Sequence, residues 1–336
     1  CGCSGCQTEQ ITVVNPYDAS FTYSAPTYCQ YDADPTASIT GDAGGTFTST
    51  PGGLSLNSAS GAIDVSASTP GSYTVSYTVG SGAIDYSGSC NDVVNAAVTI
   101  GATPIAGAGS NGVIDCSSPT TSLSGTGGGT YSWVASGGGN ITAGSGTATP
   151  TVDAAGTYTL TVTNTDGCID SDIATVSADI TPPTAGSSAA GIIDCNNTTT
   201  TVTGTGGGTY SWVASGGGNI TSGAGSATAT IDAAGTYTVT VTGANGCTDT
   251  DFAVVTDDLT TPTANAGSAA VIDCNNTTVN LSGSGGGSYS WVASGGGNIT
   301  SGSSTATPTA NAAGTYTVTV TGSNGCTDTD VTTVTT

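Results

Sequence analysis

The sequence predicts an all-β chain of tandem β-sandwich domains forming an elongated rod, and three observations predict it. The stretch Tyr-Ser-Trp-Val-Ala-Ser-Gly-Gly-Gly-Asn-Ile-Thr begins at Tyr131, Tyr210 and Tyr289, which sets Trp133, Trp212 and Trp291 79 residues apart. A fixed period of that size is one folding unit written three times, each copy large enough to close its own core. Runs such as Thr236-Tyr-Thr-Val-Thr-Val-Thr alternate with period two, the mark of a strand with one buried and one polar face. Gly, Pro, Asn and Asp clusters punctuate these runs, and helical periodicity is absent.

Taken in order, residues 1–6, Cys1-Gly-Cys-Ser-Gly-Cys6, are too few and too glycine-rich to fold alone. They form a cysteine-rich tether whose thiols Cys1, Cys3 and Cys6 join something else. Cys1 at the first position is also a candidate for lipidation, which would leave ten thiols. Residues 7–101 form a divergent module with strand-like runs at 11–14, 21–23, 37–40 and 73–79, and further short strands and turns at 44–47, 53–57 and 69–75. Three repeats follow, at 102–180, 181–259 and 260–336, joined by linkers such as Asp257-Asp-Leu-Thr-Thr-Pro that are short enough for neighbouring modules to touch. In the second repeat the expected strands are 191–194 (A), 200–204 (B), 209–214 (C), 227–231 (E), 236–242 (F) and 248–255 (G).

Two details make the sandwich immunoglobulin-like. A Trp on strand C packs between sheets, and Asp232-Ala-Ala-Gly-Thr-Tyr237 has the Asp-x-x-Gly-x-Tyr form of a tyrosine corner entering strand F. The corner recurs from Asp153 to Tyr158 and, with Asn in place of Asp, from Asn311 to Tyr316. These aromatic residues are assigned to the core rather than to a ligand platform.

Composition then removes most chemistry. There is no Lys, Arg, His or Met, and the net charge is -23 from 23 acids, all of them Asp except Glu9. With no cationic side chain to pair with, the carboxylates face water, metal ions or a partner's cations. Such a surface repels phosphate backbones and anionic lipid, so no nucleic-acid partner is expected. Without His or Lys there is no Ser/His/Asp or Cys/His dyad, no Schiff base and no ordinary zinc site. A carboxylate pair of the glycosidase kind is the one device left, and the Asp residues instead recur at equivalent turns and strand ends, so the chain is not expected to be an enzyme. No apolar run approaches the roughly 20 residues of a membrane helix, and Cys1 carries no signal peptide, as in a mature exported chain.

The 11 cysteines stand at matching places in a Gly/Ser/Thr-rich chain, which indicates a disulfide framework made in an oxidising compartment: extracellular, at the cell surface. Each repeat has one cysteine after strand A (Cys116, Cys195, Cys274) and one at the F–G turn (Cys168, Cys247, Cys326), equally spaced in all three. Pairing within a repeat is the simple map. In an immunoglobulin-like topology, however, strand A ends at the pole opposite the F–G turn. A seven-residue strand spans about 23 Å, against the roughly 4.4 to 6.8 Å between Cα atoms that a disulfide tolerates. The second map therefore joins successive modules: Cys29 with Cys168, Cys116 with Cys247, Cys195 with Cys326. It leaves Cys274 at one end and Cys90, in the F–G region of the first module, at the other. A bond from Cys274 of one copy to Cys90 of the next is a heterologous contact that propagates a filament, with Cys1, Cys3 and Cys6 as further inter-subunit candidates.

Asp170-Ser-Asp172, Asp249-Thr-Asp251 and Asp328-Thr-Asp330 open strand G, where alternate residues share a face. With linker acids such as Asp179, Asp257 and Asp258 they offer hard oxygen ligands for Ca²⁺ between modules, or else a charged strand edge that resists aggregation. No other cofactor is expected. The Gly-Gly-Gly runs lack the Lys and helix of a phosphate loop and read as turns. Asn140-Ile-Thr, Asn219-Ile-Thr and Asn298-Ile-Thr match the glycosylation sequon and equally suit turn chemistry.

The ensemble Thr-Pro-x-Ala, Asp-Cys, Leu-Ser-Gly, Gly-Gly-Gly-x-Tyr-Ser-Trp, Ala-Gly-Thr-Tyr-Thr-Val-Thr-Val-Thr and Asn-Gly-Cys-Thr-Asp-Thr-Asp over residues 102–336 resembles the tandem repeats of large Bacteroidota surface proteins. These include the gliding-motility adhesins and related PKD-like modules, and the first module resembles their companion Ig-like domain. The resemblance implies an exported, repetitive adhesin or surface-fibre protein with no catalytic residues to carry over. The expected role is thus a subunit of a cell-surface filament whose partners are copies of itself. The alternative is a stalk segment of a large adhesin, with neighbouring modules as partners and a glycan or solid surface as ligand.

Overall fold

The structure, a computed structural model, describes residues 17–80 and 91–336, and among these the regular elements are all strands. The expected strand at 11–14, the tether cysteines Cys1, Cys3 and Cys6, and Cys90 lie outside the described residues. The chain divides into two compact units, Cys1–Asp179 and Ile180–Thr336, each containing two β-sandwiches with separate hydrophobic cores.

In the first unit, the first sandwich has a sheet in which Thr27–Cys29, Asn91–Gly101, Gly71–Gly80 and Thr46–Thr50 lie side by side in that order. Thr27–Cys29 runs parallel to the last strand, with Thr27 opposite Thr99 and Cys29 opposite Gly101. Two short pairs, Phe21–Thr22 with Ser38–Ile39 and Ser55–Leu56 with Ile63–Asp64, complete the module. The alternation of Gly71–Gly80 turns Tyr73, Val75, Tyr77 and Val79 inward. There the Phe47 ring stacks on Tyr77 at 4.3 Å, and Phe21 meets both edge-on. The second sandwich orders Thr130–Ser136, Gly156–Thr163, Ile169–Asp179 and Gly112–Asp115 in one sheet, the last again parallel to its neighbour. Thr121–Ser122, Thr151–Val152 and Ile141–Ala143 form the other.

In the second unit, the second repeat has the full constant-type immunoglobulin arrangement. Strands Gly186–Ala189 (A), Thr200–Thr205 (B), Thr228–Ile231 (E) and Ile220–Ser222 (D) make one sheet. Thr209–Ser215 (C), Gly235–Thr242 (F) and Thr248–Val255 (G) make the other. After strand A the chain crosses over, and Ile193–Asp194 runs parallel to Asp257–Asp258. The third repeat follows the arrangement of the first instead: Ala270–Val271 runs parallel to Thr327–Thr335 in a sheet with Gly314–Thr321 and Ser288–Ser294, and Val279–Asn280, Thr309–Ala310 and Ile299–Ser301 form the other. The sequence pattern places strand A of the second repeat at 191–194. The structure splits it, because the small residues of Gly186–Ala189 bury little and hold their place by hydrogen bonds to strand B rather than by side-chain packing. Strand D is a further element, too short to leave a pattern.

The cores show why the repeated residues recur. In Gly235–Thr242 the inward Tyr237, Val239 and Val241 are fully buried while the intervening threonines face outward. Trp133, Trp212 and Trp291 are each 4% exposed between the sheets. Their indole N–H groups donate to the carbonyls of Thr147, Ser226 and Thr305 at 3.0 to 3.1 Å, so burial strands no polar atom. Truncating such a residue to Ala costs about 3–5 kcal/mol. The tyrosine corner closes as its spacing requires: the hydroxyls of Tyr158, Tyr237 and Tyr316 donate to the carbonyls of Ala154, Ala233 and Ala312. The first module makes the same four-residue bond from Tyr73 to Thr69. The corner glycine is demanded by contact, since a Cβ on Gly235 would stand 2.5 Å from the Gly218 nitrogen.

Candidate functional site at the cysteine joints

In the first unit, Cys29 ends the short parallel strand of the first module and bonds Cys168, in the turn before the last strand of the first repeat, with Cα atoms 5.6 Å apart. The Cys29 amide donates to Asp32 Oδ2 at 2.7 Å, and the Ile169 amide donates to the Tyr31 hydroxyl at 3.0 Å. Gly101 lies under the bond, where a Cβ would come within 2.5 Å of Cys168 Sγ. Asn164 organises the turn: its Oδ1 accepts from the Asp166 and Cys168 amides, and its Nδ2 donates to the Ala102 carbonyl at 2.7 Å.

In the second unit the same joint recurs between the second and third repeats. Cys195 bonds Cys326 with Cα atoms 4.9 Å apart. Asp194 Oδ1 accepts from the Asn196 and Asn197 amides at 2.9 and 2.6 Å, shaping the loop that carries Cys195. Asn324, 7% exposed, is the hub. Its Oδ1 accepts from the Cys326 amide, and its Nδ2 donates to the carbonyls of Thr260 and Asp258 and to Asp258 Oδ1 at 2.9 to 3.1 Å. The side chains of Asn324 and Thr260 hold the Asp258 carboxyl below its ordinary pKa. Gly325 has φ +76° and packs on the Asn196 side chain, with no room for a Cβ.

Cys116 and Cys247 also carry disulfide bonds. In every case the F–G cysteine is buried (Cys168 0%, Cys247 2%, Cys326 1%), whereas Cys116 and Cys195 stay exposed. Cys274, at the place of Cys116 and Cys195 in the third repeat, is exposed and free. Its loop has the same Asx turn, Asp273 Oδ1 accepting from the Asn275 and Asn276 amides at 2.8 and 2.7 Å, and these bonds lower the Asp273 pKa. The thiol opens on a cleft of about 470 Å³ lined by Ile272, Asp273, Thr277, Asn311 and Thr336.

The Asp pairs of strand G hold backbone. Asp170 and Asp172 accept from the amides of Ala106 and Ala108, Asp328 and Asp330 from those of Ala264 and Ala266, all at 2.8 to 2.9 Å. Asp249 accepts from the Ala185 amide, and Asp251 from the Ser187 hydroxyl. Each pair thus clamps the incoming chain to the sheet edge, and Asp92 does the same for the Ala19 amide in the first module. Asp257 and Asp258 lie elsewhere, in the short parallel pair with Ile193 and Asp194, and Asp179 ends a strand opposite Asp115. Among the described residues no three His, Cys, Asp or Glu side chains converge to hold a metal ion. The sequon asparagines are engaged too: Asn140 and Asn219 donate through Nδ2 to the corner aspartates Asp153 and Asp232, and Asn298 to Asn311.

The asparagine hub escaped the sequence reading. Asn245 and Asn324 stand two residues before their cysteines, and Asn245 donates to the Thr181 carbonyl as Asn324 does to Thr260. In the first repeat the same bond comes from Asn164, two positions earlier, so no fixed motif marks it.

A family model described as a PKD-like domain matches residues 123–178, 181–256 and 259–336. No curated protein sequence matches the chain. Among solved structures the chain is similar to the I-band fragment I67-I69 from titin, at 15% identity and TM-score 0.28 over 69% of this chain and 98% of that one. It is similar to the insect immune protein hemolin at 11% identity and TM-score 0.25, over 94% and 98%. It is also similar to protocadherin gammaB7 EC3-6 at 12% identity and TM-score 0.29, over 93% and 99%. Among the described residues no helix is long and apolar enough to cross a membrane.

Proposed function

The chain belongs to the PKD-like domain family, and from that premise we propose that it is a non-enzymatic extracellular structural protein, a subunit of a cell-surface fibre whose copies join head to tail through disulfides. The observation that carries this reading is Cys274. In the module before it the equivalent Cys195 is bonded to the F–G cysteine of the following repeat, while Cys274 presents the same preshaped loop with its thiol free. The matching half is Cys90, which directly precedes the last strand of the first module as Cys168, Cys247 and Cys326 directly precede theirs. Joining Cys274 of one copy to Cys90 of the next repeats a joint the chain already builds internally, and a heterologous contact of that kind propagates.

Purified protein under oxidising conditions is expected to form fibres by negative-stain microscopy. Non-reducing electrophoresis should give a ladder that collapses to one band on reduction, and both should vanish in Cys274→Ser. A wild-type protein that remains monomeric by both methods overturns the reading. The second reading, a stalk segment of a larger adhesin, is favoured by the outer sheet faces. There Val213, Thr238 and Phe252 form one cross-strand row, with Val213 63% and Phe252 61% exposed, among rows of Thr and Ser. Binding of monomer to glycan arrays or solid surfaces without fibre formation would support it.

A further inference from the structure

Beyond any assembly, and for a single chain, we infer that the disulfides turn the protein into a tether of fixed length, in which pulling on the ends leaves most of every domain core off the load path. Tension follows the shortest covalent route between the loaded points, because a longer parallel loop stays slack until the shorter one is taut. Here the route reaches Cys29, crosses to Cys168, follows the backbone over residues 168–195, crosses to Cys326 and leaves through 327–336. The two closed loops, with sequence separations of 139 and 131, carry no load. Inside them lie all three tryptophan strands, Thr130–Ser136, Thr209–Ser215 and Ser288–Ser294, and the tyrosine strands they pair with.

The described backbone left on the load path between the bonds is short and well held. Ile169–Asp179 is hydrogen-bonded on one side to Gly156–Thr163 and on the other, in parallel, to Gly112–Asp115. Next come Gly186–Ala189, paired with strand B, and Ile193–Asp194, parallel to Asp257–Asp258. The bonds at Cys116 and Cys247 do not weaken the conclusion, since a further cross-link can only shorten or duplicate the route. A domain that melts while the bonds are intact therefore leaves the end-to-end length nearly unchanged, which is the property a load-bearing tether needs and an ordinary string of domains lacks.

The magnitudes separate the two behaviours. A residue pulled straight contributes about 3.3 to 3.6 Å, so the shunted loops store on the order of 900 Å, one unravelled repeat would release about 270 Å, and residues 168–195 can supply at most about 100 Å. Single-molecule force spectroscopy on the full chain, with handles at its two ends attached by chemistry that spares thiols, tests this. Oxidised molecules are expected to show no step longer than about 100 Å. The same molecules in a dithiol reductant should show repeat-length steps that total on the order of 900 Å. Cys29→Ser should release length from the first loop and Cys195→Ser from the second, each less than the full reduced length because the bonds at Cys116 and Cys247 remain. Repeat-length steps in oxidised wild type, or no added length on reduction, overturn the inference. Monomers are what is pulled, so a failure to form fibres leaves this test intact.

Discussion

Cys195 and Cys274 occupy the same loop of consecutive repeats, each held by an aspartate that accepts from the two amides beyond the cysteine, yet one is bonded and the other is free. The difference teaches how a joint is divided. The loop half carries the same turn hydrogen bonds with and without the disulfide, and its cysteine is exposed in both. The F–G half is the opposite: in the joined state Cys326 is buried and its amide is held by Asn324, so it forms the socket of the joint. In the second unit the joint thus sets an exposed loop cysteine, Cys195, against a buried turn cysteine, Cys326.

The largest test of that division is to remove the sulfur from each loop. Cys195→Ser opens a bond with a sequence separation of 131 and should cost about 2–5 kcal/mol, through the restored freedom of the unfolded chain. Cys274→Ser removes no bond within the chain and should stay within about 0.5 kcal/mol of wild type. Denaturant melts of the two variants side by side decide it, and equal shifts would break the comparison. A smaller effect is expected at the socket. Asn324→Ala leaves the Cys326 amide and the Thr260 carbonyl without their partner and should cost about 1–3 kcal/mol. Amide exchange at Cys326 should rise, and unchanged exchange would mean that the socket does not depend on the asparagine.

How far the sequence revealed this division depends on where the information sits. The period of Trp133, Trp212 and Trp291, the corner from Asp232 to Tyr237 and the alternation through Val241 are properties of single segments burying one face, and local pattern exposes them. Strand A at Gly186–Ala189 has no such face: four small residues take their position from strand B and from Asp249 and Asp251, 64 residues away from the groups they hold. The clamp gives each Asp pair a partner on the incoming chain that charge pattern alone does not reveal. The hub is hidden for another reason. Asn164 and Asn324 reach equivalent linker carbonyls from different positions in the turn, so the function is preserved in space and lost in register.

The smallest expected effect is in the loop's dependence on acid. Backbone amides of Asn276 and Asn275 draw the Asp273 carboxyl below its ordinary value of 3.8, because a carboxylate accepting two N–H bonds is favoured over the protonated acid. A depressed folded-state pKa means that the stabilisation is present above about pH 4 and is lost as pH falls through the lowered value. The loop around Cys274 should therefore stay protected at neutral pH and loosen as pH falls through the lowered value, read as loss of protection at the Asn275 and Asn276 amides after correction for the intrinsic exchange rate. Asp273→Asn keeps an acceptor but cannot titrate, so its protection should be flat across the same range. If wild type is equally flat, the carboxylate does not hold the loop, and the free cysteine would need its bond to acquire the shape that Cys195 shows.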